Sequence, residues 1–164
     1  MQPQPEAAAP QRPADIELAC FPLGDVTLAV DVQQLREVAR CPSLTPLPRA
    51  PSLIEGVVDL RGRVIPVVDL GRALLDRPIE DDPLARVAVI ECDGLVFGLR
   101  VGAAADIVTL STAALEEPPA LATHAGYDVV RAVVRRENAP PALVISVEHL
   151  LERIYRSARA VEGQ

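Results

Sequence analysis

Short apolar segments joined by two-residue turns recur along this chain and restrict the folds that it can adopt. The clearest example is GVVDLRGRVIPVVDL, residues 56–70, in which two apolar runs meet at Arg61-Gly62. Similar pairs of runs meet at Gly24-Asp25 and at Asp93-Gly94, and Asp-Gly between apolar runs is a strong hairpin signal. No long helical segments alternate with these runs, which favours small β-barrels.

The runs also form an internal repeat. VTLAVDV, residues 26–32, matches LVFGLRV, residues 95–101, and VIPVVDLGRALL, residues 64–75, corresponds to PALVISVEHLL, residues 141–151. In this alignment Asp69 corresponds to Ser146, and both are predicted to cap a helical turn. The repeat predicts two small β-barrels that share one apolar seam, and a single irregular sandwich is the alternative.

One segment is predicted to be helical near the N-terminus. In DVQQLREVAR, residues 31–40, Val32, Leu35 and Val38 or Ala39 would share one helical face, and Asp31 could cap the helix. The remaining elements are predicted as a Pro/Ala-rich disordered tail over 1–15, strands from residue 16, an extended loop over 41–52, a strand over 106–110, a loop or loose helical turn over 111–126, a hairpin around 137–141 and a C-terminal helix from 147.

The hairpin over residues 56–70 combines an apolar body with a basic tip. Its core candidates are Val57, Leu60, Val64, Val67 and Val68. Pro66 lacks an N–H, so it should mark an edge, a bulge or a strand corner.

The basic tip needs a separate explanation. If residues 31–40 pack over the hairpin, Glu37 and Arg61 could form an ion pair. Such an exposed pair would contribute only about 0–1 kcal/mol, so we expect its role to be holding both side chains in one pose for a partner.

Composition excludes several classes of protein. The 164 residues suit one domain or two small lobes, and 49% hydrophobic residues with only 2% aromatic ones predict an aliphatic core. A net charge of −7 argues against nucleic-acid binding. We find no signal peptide and no apolar run long enough to span a membrane, and three widely spaced cysteines predict reduced thiols in a cytoplasmic protein.

An enzyme is not indicated. His124 and His149 lack neighbours of the kind that form a catalytic triad or a metal site, and no Gly-rich phosphate loop is present. The acidic run over residues 80–82 lies between prolines and is predicted to be a solvated loop. We therefore expect no cofactor, no metal and no catalytic residue.

The sequence LREVAR…LTPLPRAPSLIEGVVDLRGRVIPVVDL resembles the signature of CheW-like domains, the coupling proteins of bacterial chemotaxis. The matching features are the segment over residues 48–51, Gly56, Leu60-Arg61-Gly62, Pro66 and Asp69-Leu70. The resemblance covers about residues 16–153. We place the domain at 16–155, after the tail over 1–15 and before a C-terminal tail over 156–164. It implies two interleaved SH3-like five-stranded β-barrels and no catalytic activity.

The resemblance also implies partners. CheW-like proteins connect the cytoplasmic tips of methyl-accepting chemoreceptors to the regulatory domain of a CheA-type histidine kinase, and they contact other CheW-like domains. The groove between the barrels takes the receptor tip, so this chain would lie at receptor arrays on the inner-membrane face, without inserting into the membrane. Eight residues are the candidate receptor and kinase contacts: Leu35, Glu37, Val38, Gly56, Arg61, Gly62, Ile107 and Val108.

Three positions depart from the family pattern. Asp59 stands where Asn is usual, Ser146 stands where Asp is usual, and Gly102 with three alanines replaces larger residues before Asp106. Lost apolar surface could weaken one binding face. The alternative function is therefore a regulatory version of the fold that engages only the kinase or only the receptor. A small hydrolase or ligand-binding barrel is a third, less favoured class.

Overall fold

The computed structural model describes residues 14–103, 106–119 and 129–162. Ten strands, three short helical turns and a C-terminal helix lie within these ranges. The strands are β1 (Asp15–Leu23), β2 (Val26–Asp31), β3 (Leu35–Arg40), β4 (Ile54–Leu60), β5 (Arg63–Val68), β6 (Arg86–Cys92), β7 (Leu95–Val101), β8 (Asp106–Ser111), β9 (Val130–Arg136) and β10 (Ala139–Ile145). The helical elements are η1 (Val32–Gln34), η2 (Gly71–Leu75), η3 (Thr112–Ala114) and α1 (Val147–Glu162).

The strands form two five-stranded sheets that exchange elements between the two halves of the chain. Sheet A has the order β8-β1-β2-β10-β9, and sheet B has the order β3-β6-β7-β5-β4. Each sheet contains two strands from one sequence repeat and three from the other. The predicted repeat and the two five-stranded units are confirmed, and the repeats are interleaved.

Each sheet curls so that its two edge strands approach each other. After β3 the chain returns to β4, where Thr45 and Val57 exchange two backbone hydrogen bonds of 2.9 Å. After η3 the chain returns to β9, where Glu116 and Val133 do the same at 2.9 and 2.7 Å. These equivalent bridges close both sheets into barrels at one point, and they leave the strand edges unpaired beyond it.

The largest hydrophobic cluster lies between the sheets. Phe21 and Val30 of sheet A pack there with Ile90 and Leu99 of sheet B. Alternate residues of the same strands point away from this seam into a smaller cluster inside each barrel. The central strands are therefore buried on both faces, which explains why their sequences are continuous apolar runs.

The two halves end in equivalent caps. Asp69 is buried, and its Oδ1 accepts the Arg72 N–H at 3.1 Å, at the start of η2. Ser146 is also buried, and its Oγ accepts the His149 N–H at 3.3 Å, in the first turn of α1. Both predicted caps are confirmed, and Ser146 shows that a hydroxyl replaces the usual carboxylate in this role.

The helix predicted over residues 31–40 is wrong. Only Val32–Gln34 form a helical turn, whose start Asp31 caps by accepting the Gln33 N–H at 2.9 Å. Residues from Leu35 onward form strand β3, and a bulge between Leu35 and Glu37 breaks its two-residue alternation. The bulge displaces the apolar positions by one residue, and the resulting spacing resembles that of a helix.

The alternation in the β4–β5 hairpin also differs from the prediction at one position. Val67 and Val68 are fully buried as expected, and Val57 and Leu60 are half-buried. Val64 is wrong as a core residue, because 64% of it is exposed. The buried positions near the tip are instead Val58 and Ile65.

Pro66 lies in an inner strand at a place where no ladder needs its N–H. Toward β4 it stands opposite Val57, whose own N–H and carbonyl bond to Thr45. Toward β7 the parallel ladder begins only at Val67. Pro66 therefore lies just before the point at which β5, still paired with β4, gains β7 as a second neighbour.

The cysteines are free thiols. Cys20 and Cys92 are buried and Cys41 is half-buried. Burial raises the pKa of the Cys20 and Cys41 thiols above the ordinary value, so both stay protonated at neutral pH. The tail was predicted over residues 1–15, of which 1–13 lie outside the described residues and Asp15 begins β1. Residues 120–126 of the predicted loop over 111–126, which include His124, also lie outside the described residues.

Candidate functional site

The tip of the β4–β5 hairpin holds Arg61 in a left-handed backbone conformation. Arg61 and Gly62 have φ values of 55° and 83°, as a two-residue type I′ turn requires. Asp59 Oδ1 accepts the Gly62 N–H at 2.8 Å and stabilises this turn. Asp59 thus performs the hydrogen bond that an Asn oxygen could make, and the hairpin fixes the direction of the Arg61 side chain.

Arg61 and Glu37 form an ion pair across the open side of barrel B. Arg61 Nη2 donates to Glu37 Oε2, which links the hairpin tip to edge strand β3. The Arg61 side chain remains 75% exposed and that of Glu37 is 34% exposed. The predicted pair is present, although Glu37 lies on a strand. We call Glu37, Arg61 and Gly62 the tip surface.

A shallow groove of about 420 Å³ lies beneath the tip surface. Its floor is apolar and its rim is charged, and it is lined by Arg36, Glu37, Leu60, Arg63, Ile65 and Val89. The unpaired edges of β3 and β4 border this groove. The tip surface therefore combines an apolar floor with charges held in fixed positions, as a protein-binding surface requires.

The bulge in β3 directs neighbouring residues to different faces. Leu35 stands opposite Ile90, a residue of the seam, whereas Glu37 stands opposite Val89, which points into barrel B. In a regular strand these two residues would share a face. The bulge therefore places Leu35 and Glu37 on separate surfaces.

A second exposed surface lies where the two sheets meet. The Gly102 N–H donates to Pro22 O at 2.8 Å, which joins the end of β7 to the end of β1. At the opposite end η1, which follows β2, contacts both β1 and β6. Because the end of β7 pairs with the start of β6, the end of β1 lies near the start of β6, and the two strands run in opposite directions across the seam. Their edge neighbours β8 and β3 therefore lie on the same side of the molecule.

Two exposed apolar residues occupy equivalent positions on these edge strands. Ile107 of β8 is paired with Ala19, and Val38 of β3 is paired with Ala88. Both alanines belong to the seam cluster, so Ile107 and Val38 project from its flanks, with exposures of 61% and 41%. We call the surface between β8 and β3, marked by Ile107 and Val38 and ending near Leu35, the seam groove.

The other two candidates have structural positions. A Cβ on Gly56 would lie 2.6 Å from Thr45 O, so only glycine permits the bridge that closes barrel B. Val108 is half-buried and packs against the inner cluster of sheet A. The eight predicted residues therefore form a tip surface and a seam groove, with two residues in the barrel frameworks, and do not form one continuous site.

A buried charge network was not predicted from the sequence. Arg100 of β7 has a side chain only 9% exposed, and its Nη2 lies 2.6 Å from Glu55 Oε1. It also donates to Asp81 Oδ1 at 3.3 Å and to Ile79 O at 3.2 Å, which ties the linker between η2 and β6 to barrel B. Burial raises the pKa of the Glu55 carboxyl above its ordinary value, and Arg100 opposes this rise.

The chemistry of the described residues does not suggest a reaction centre. No three His, Cys, Asp or Glu side chains in this part of the chain are grouped as metal ligands. A cavity of about 910 Å³ lies between the β1–β2 turn, the linker and the end of β7, and its buried Arg100 is already neutralised. None of the helices that the structure describes is both long and apolar enough to cross a membrane.

Comparison with known proteins agrees with this arrangement. The family model for the CheW-like domain matches residues 17–155. Chemotaxis protein CheW of Rhizobium meliloti (strain 1021) is 32% identical over 78% of this chain and 83% of that protein. Protein FrzA of Myxococcus xanthus is 32% identical over 98% of this chain and 99% of that protein.

A solved structure supports the same fold. The crystal structure of the scaffolding protein TtCheW from Thermoanaerobacter tengcongensis superimposes with a TM-score of 0.72 and 24% identity, and the match covers 87% of this chain and 91% of that one. The family consists of non-enzymatic scaffold proteins. From the family match over most of the chain and from these relatives, we conclude that the protein belongs to the CheW-like domain family.

Proposed function

We propose that this CheW-like scaffold protein couples methyl-accepting chemoreceptors to a CheA-type histidine kinase in a chemotaxis-like array. The observation that carries the proposal is the presence of two separate exposed surfaces, one charged and one apolar. A coupling protein needs two such surfaces because it binds two partners at once. The proposed place of action is the cytoplasmic face of the receptor array.

The tip surface is the proposed contact with the regulatory domain of the kinase. Arg61 is held in one direction by its turn and by Glu37, and yet it is largely exposed. An arginine fixed in this way loses little conformational entropy on binding, which favours its use as an interface anchor. In this family the regulatory domain of the kinase has the same fold as a CheW-like domain. The tip surface is therefore also the proposed contact with other CheW-like domains.

The seam groove is the proposed contact with the receptor tip. Ile107 and Val38 expose apolar side chains on its two flanks, whereas Leu35, Val108 and Leu110 of the same strands are half-buried. An apolar strip between two strand edges suits one face of an amphipathic helix. The groove and the tip surface lie on different faces of β3, so both partners can bind together.

The small residues before β8 have a packing explanation. A Cβ on Gly102 would lie 2.6 Å from the Pro22 ring, and the Gly102 N–H bonds to Pro22 O. Gly102 is thus required where the sheets cross. Gly102 therefore gives no reason to expect a version that binds only one partner, and Ile107 still provides apolar surface.

The test replaces Arg61 with alanine. Arg61→Ala should weaken binding of the kinase regulatory domain about tenfold, and it should leave thermal stability nearly unchanged, because the side chain is exposed. Ile107→Asn should instead weaken binding of a receptor-tip fragment. Isothermal titration calorimetry with each partner and a thermal melt of each variant measure these effects.

Arg131→Ala is the matched control, because Arg131 is an exposed arginine on the opposite edge strand β9. If Arg61→Ala lowers the melting temperature as strongly as it lowers affinity, Arg61 is a structural residue. If the wild-type chain binds neither partner, the coupling function is wrong. If it binds only one of them, the single-partner alternative is correct.

A further inference from the structure

Two arginines face each other on neighbouring strands at one end of the seam groove. Arg40 of β3 and Arg86 of β6 are directly paired in the antiparallel register, so their side chains leave the same face of sheet B. Arg40 is exposed and Arg86 is half-buried. Within the described ranges, neither makes an ion pair or a side-chain hydrogen bond.

Arg49, Arg63, Arg131 and Arg159 also make no ion pair or side-chain hydrogen bond within the described ranges, so Arg40 and Arg86 are distinguished by facing each other on paired strands. Acidic residues outnumber basic ones by 23 to 16, and six other arginines have carboxylate partners, namely Arg36, Arg61, Arg72, Arg77, Arg100 and Arg135. Like charges directly opposite each other destabilise a sheet. The Arg40–Arg86 pair therefore costs stability in the free protein, and an anion placed between the two guanidinium groups would remove that cost.

The position of the pair connects it to the seam groove. Arg40 and Arg86 lie two residues along from Val38 and Ala88, on the same face of β3 and β6. At the other end of the groove, on the opposite flank, the equivalent pair is Glu17 and Thr109. The groove is thus apolar in the middle, basic at one end and acidic at the other.

We propose that Arg40 and Arg86 jointly bind a carboxylate of the partner segment that docks in the seam groove. This inference rests on the proposed function, in which the partner segment is an amphipathic helix of the receptor tip. The helix places its apolar stripe on Val38 and Ile107, and an Asp or Glu near one end of that stripe lies between the arginines. Because the opposite end of the groove is acidic, this contact also sets the direction in which the helix lies.

The chemistry of the pair favours a carboxylate on a protein segment. Two guanidinium groups from adjacent strands can each donate two hydrogen bonds, which matches the four lone-pair directions of one carboxylate. The apolar strip beside them gives further contact area to a side chain that is part of a helix, but not to a small free anion. Arg40 and Arg86 are therefore specificity-determining residues of the groove.

The experiment measures binding of a receptor-tip fragment, a helical hairpin from a chemoreceptor of the same organism, to wild type, Arg40→Gln and Arg86→Gln. Each variant should bind about tenfold more weakly at low salt, and its affinity should depend less on salt concentration. The melting temperature of each variant should stay equal or rise, because one like charge is removed. Loss of affinity together with unchanged or increased stability separates a binding role from a structural one.

Controls distinguish failure of this inference from failure of the proposed function. Arg131→Gln should bind like wild type, and Ile107→Asn should bind weakly. If Ile107→Asn weakens binding but the Arg40 and Arg86 variants do not, the inference is overturned and the groove remains the receptor site. If the wild-type chain does not bind the fragment, both this inference and the proposed coupling function are overturned.

A charge exchange tests the direction of the helix. The double variant Arg40→Glu, Arg86→Glu should not bind the wild-type fragment. It should regain binding to one fragment in which a single acidic residue, near one end of the apolar stripe, is replaced by lysine. If no lysine substitution restores binding, the proposed carboxylate contact is wrong.

Discussion

Arg61 combines three properties that packing alone does not require. It occupies the first central position of a type I′ turn, where Asn, Asp or Gly is preferred, and its positive φ costs about 1 kcal/mol or more. Its side chain is exposed, and its ion pair contributes little to stability. The conformational cost is thus not recovered by burial, which favours a role in binding a partner.

Neighbouring valines in the same strand provide a direct test of the burial pattern. Val67→Ala should lower the free energy of unfolding by about 1–3 kcal/mol, because the fully buried side chain leaves a void inside barrel B. Val64→Ala should change it by less than about 0.5 kcal/mol, because Val64 is mostly exposed. Urea unfolding of both variants measures the difference, and equal losses would contradict the assigned register of β5.

The residue contacts differ in how far the sequence predicts them. The Glu37–Arg61 pair was predicted by packing residues 31–40 over the hairpin, and it forms although these residues are a strand and not the expected helix. The Arg40–Arg86 pair was not predicted, because it depends on the register between strands that are far apart in sequence. No local signal specifies that register.

At the scale of elements, turn chemistry was the reliable signal. Hairpins occur at Gly24-Asp25, Arg61-Gly62 and Asp93-Gly94, as predicted, because each contains a glycine with positive φ. Strand β3 was predicted as a helix because its bulge disturbs the alternation by which strands are recognised. A bulge depends on pairing with β6, so it is not visible in the sequence of β3 alone.

The linker between η2 and β6 depends on one buried arginine. Arg100→Ala should lower the free energy of unfolding by roughly 3 kcal/mol near neutral pH, because Glu55 would remain as a half-buried carboxylate without its main partner. Removing Arg100, which lowers the Glu55 pKa, should raise that pKa further above its ordinary value.

The pH dependence of the Arg100→Ala effect follows from the direction of this shift. A carboxyl with a raised pKa in the folded state is accommodated at low pH, and its unfavourable contribution grows as the pH rises through the folded-state pKa. The difference in stability between wild type and Arg100→Ala should therefore shrink in mildly acidic buffer. Chemical unfolding of wild type and Arg100→Ala, near neutral pH and in mildly acidic buffer, measures this difference in stability. A difference that does not change with pH would show that Glu55 is not the group left without a partner.

At the scale of the whole molecule, the two repeats are interleaved. Strands β1 and β2 of the first repeat pair with β8 to β10 of the second, and β6 and β7 of the second repeat complete the other sheet. The sequence repeat predicted two similar units with a shared seam. The resemblance to CheW-like domains implied that the units are interleaved, and the sheet orders confirm this. The repeat alone does not predict the exchange, since strands that repeat in sequence can pair within one half or between halves with the same local patterns.

The exchange has a consequence for both proposed binding surfaces. The seam groove is bordered by β3 from the first repeat and β8 from the second, and the apolar floor beneath Arg61 includes Val89 of β6. Neither surface can exist in one repeat alone. Correct pairing between the halves is therefore a condition for binding either partner.

Cutting the chain in the linker tests this dependence on both halves. Residues 1–82 and 83–164, produced separately, should each be largely unfolded, because each fragment lacks the strands that complete its sheets and half of the seam cluster. Mixing them should restore the circular dichroism spectrum and the cooperative melt of the intact chain, since the fragments together contain every strand pair. Either fragment folding alone as a stable monomer would show that its strands can form a barrel without exchange, and the interleaved topology would then not be required for stability.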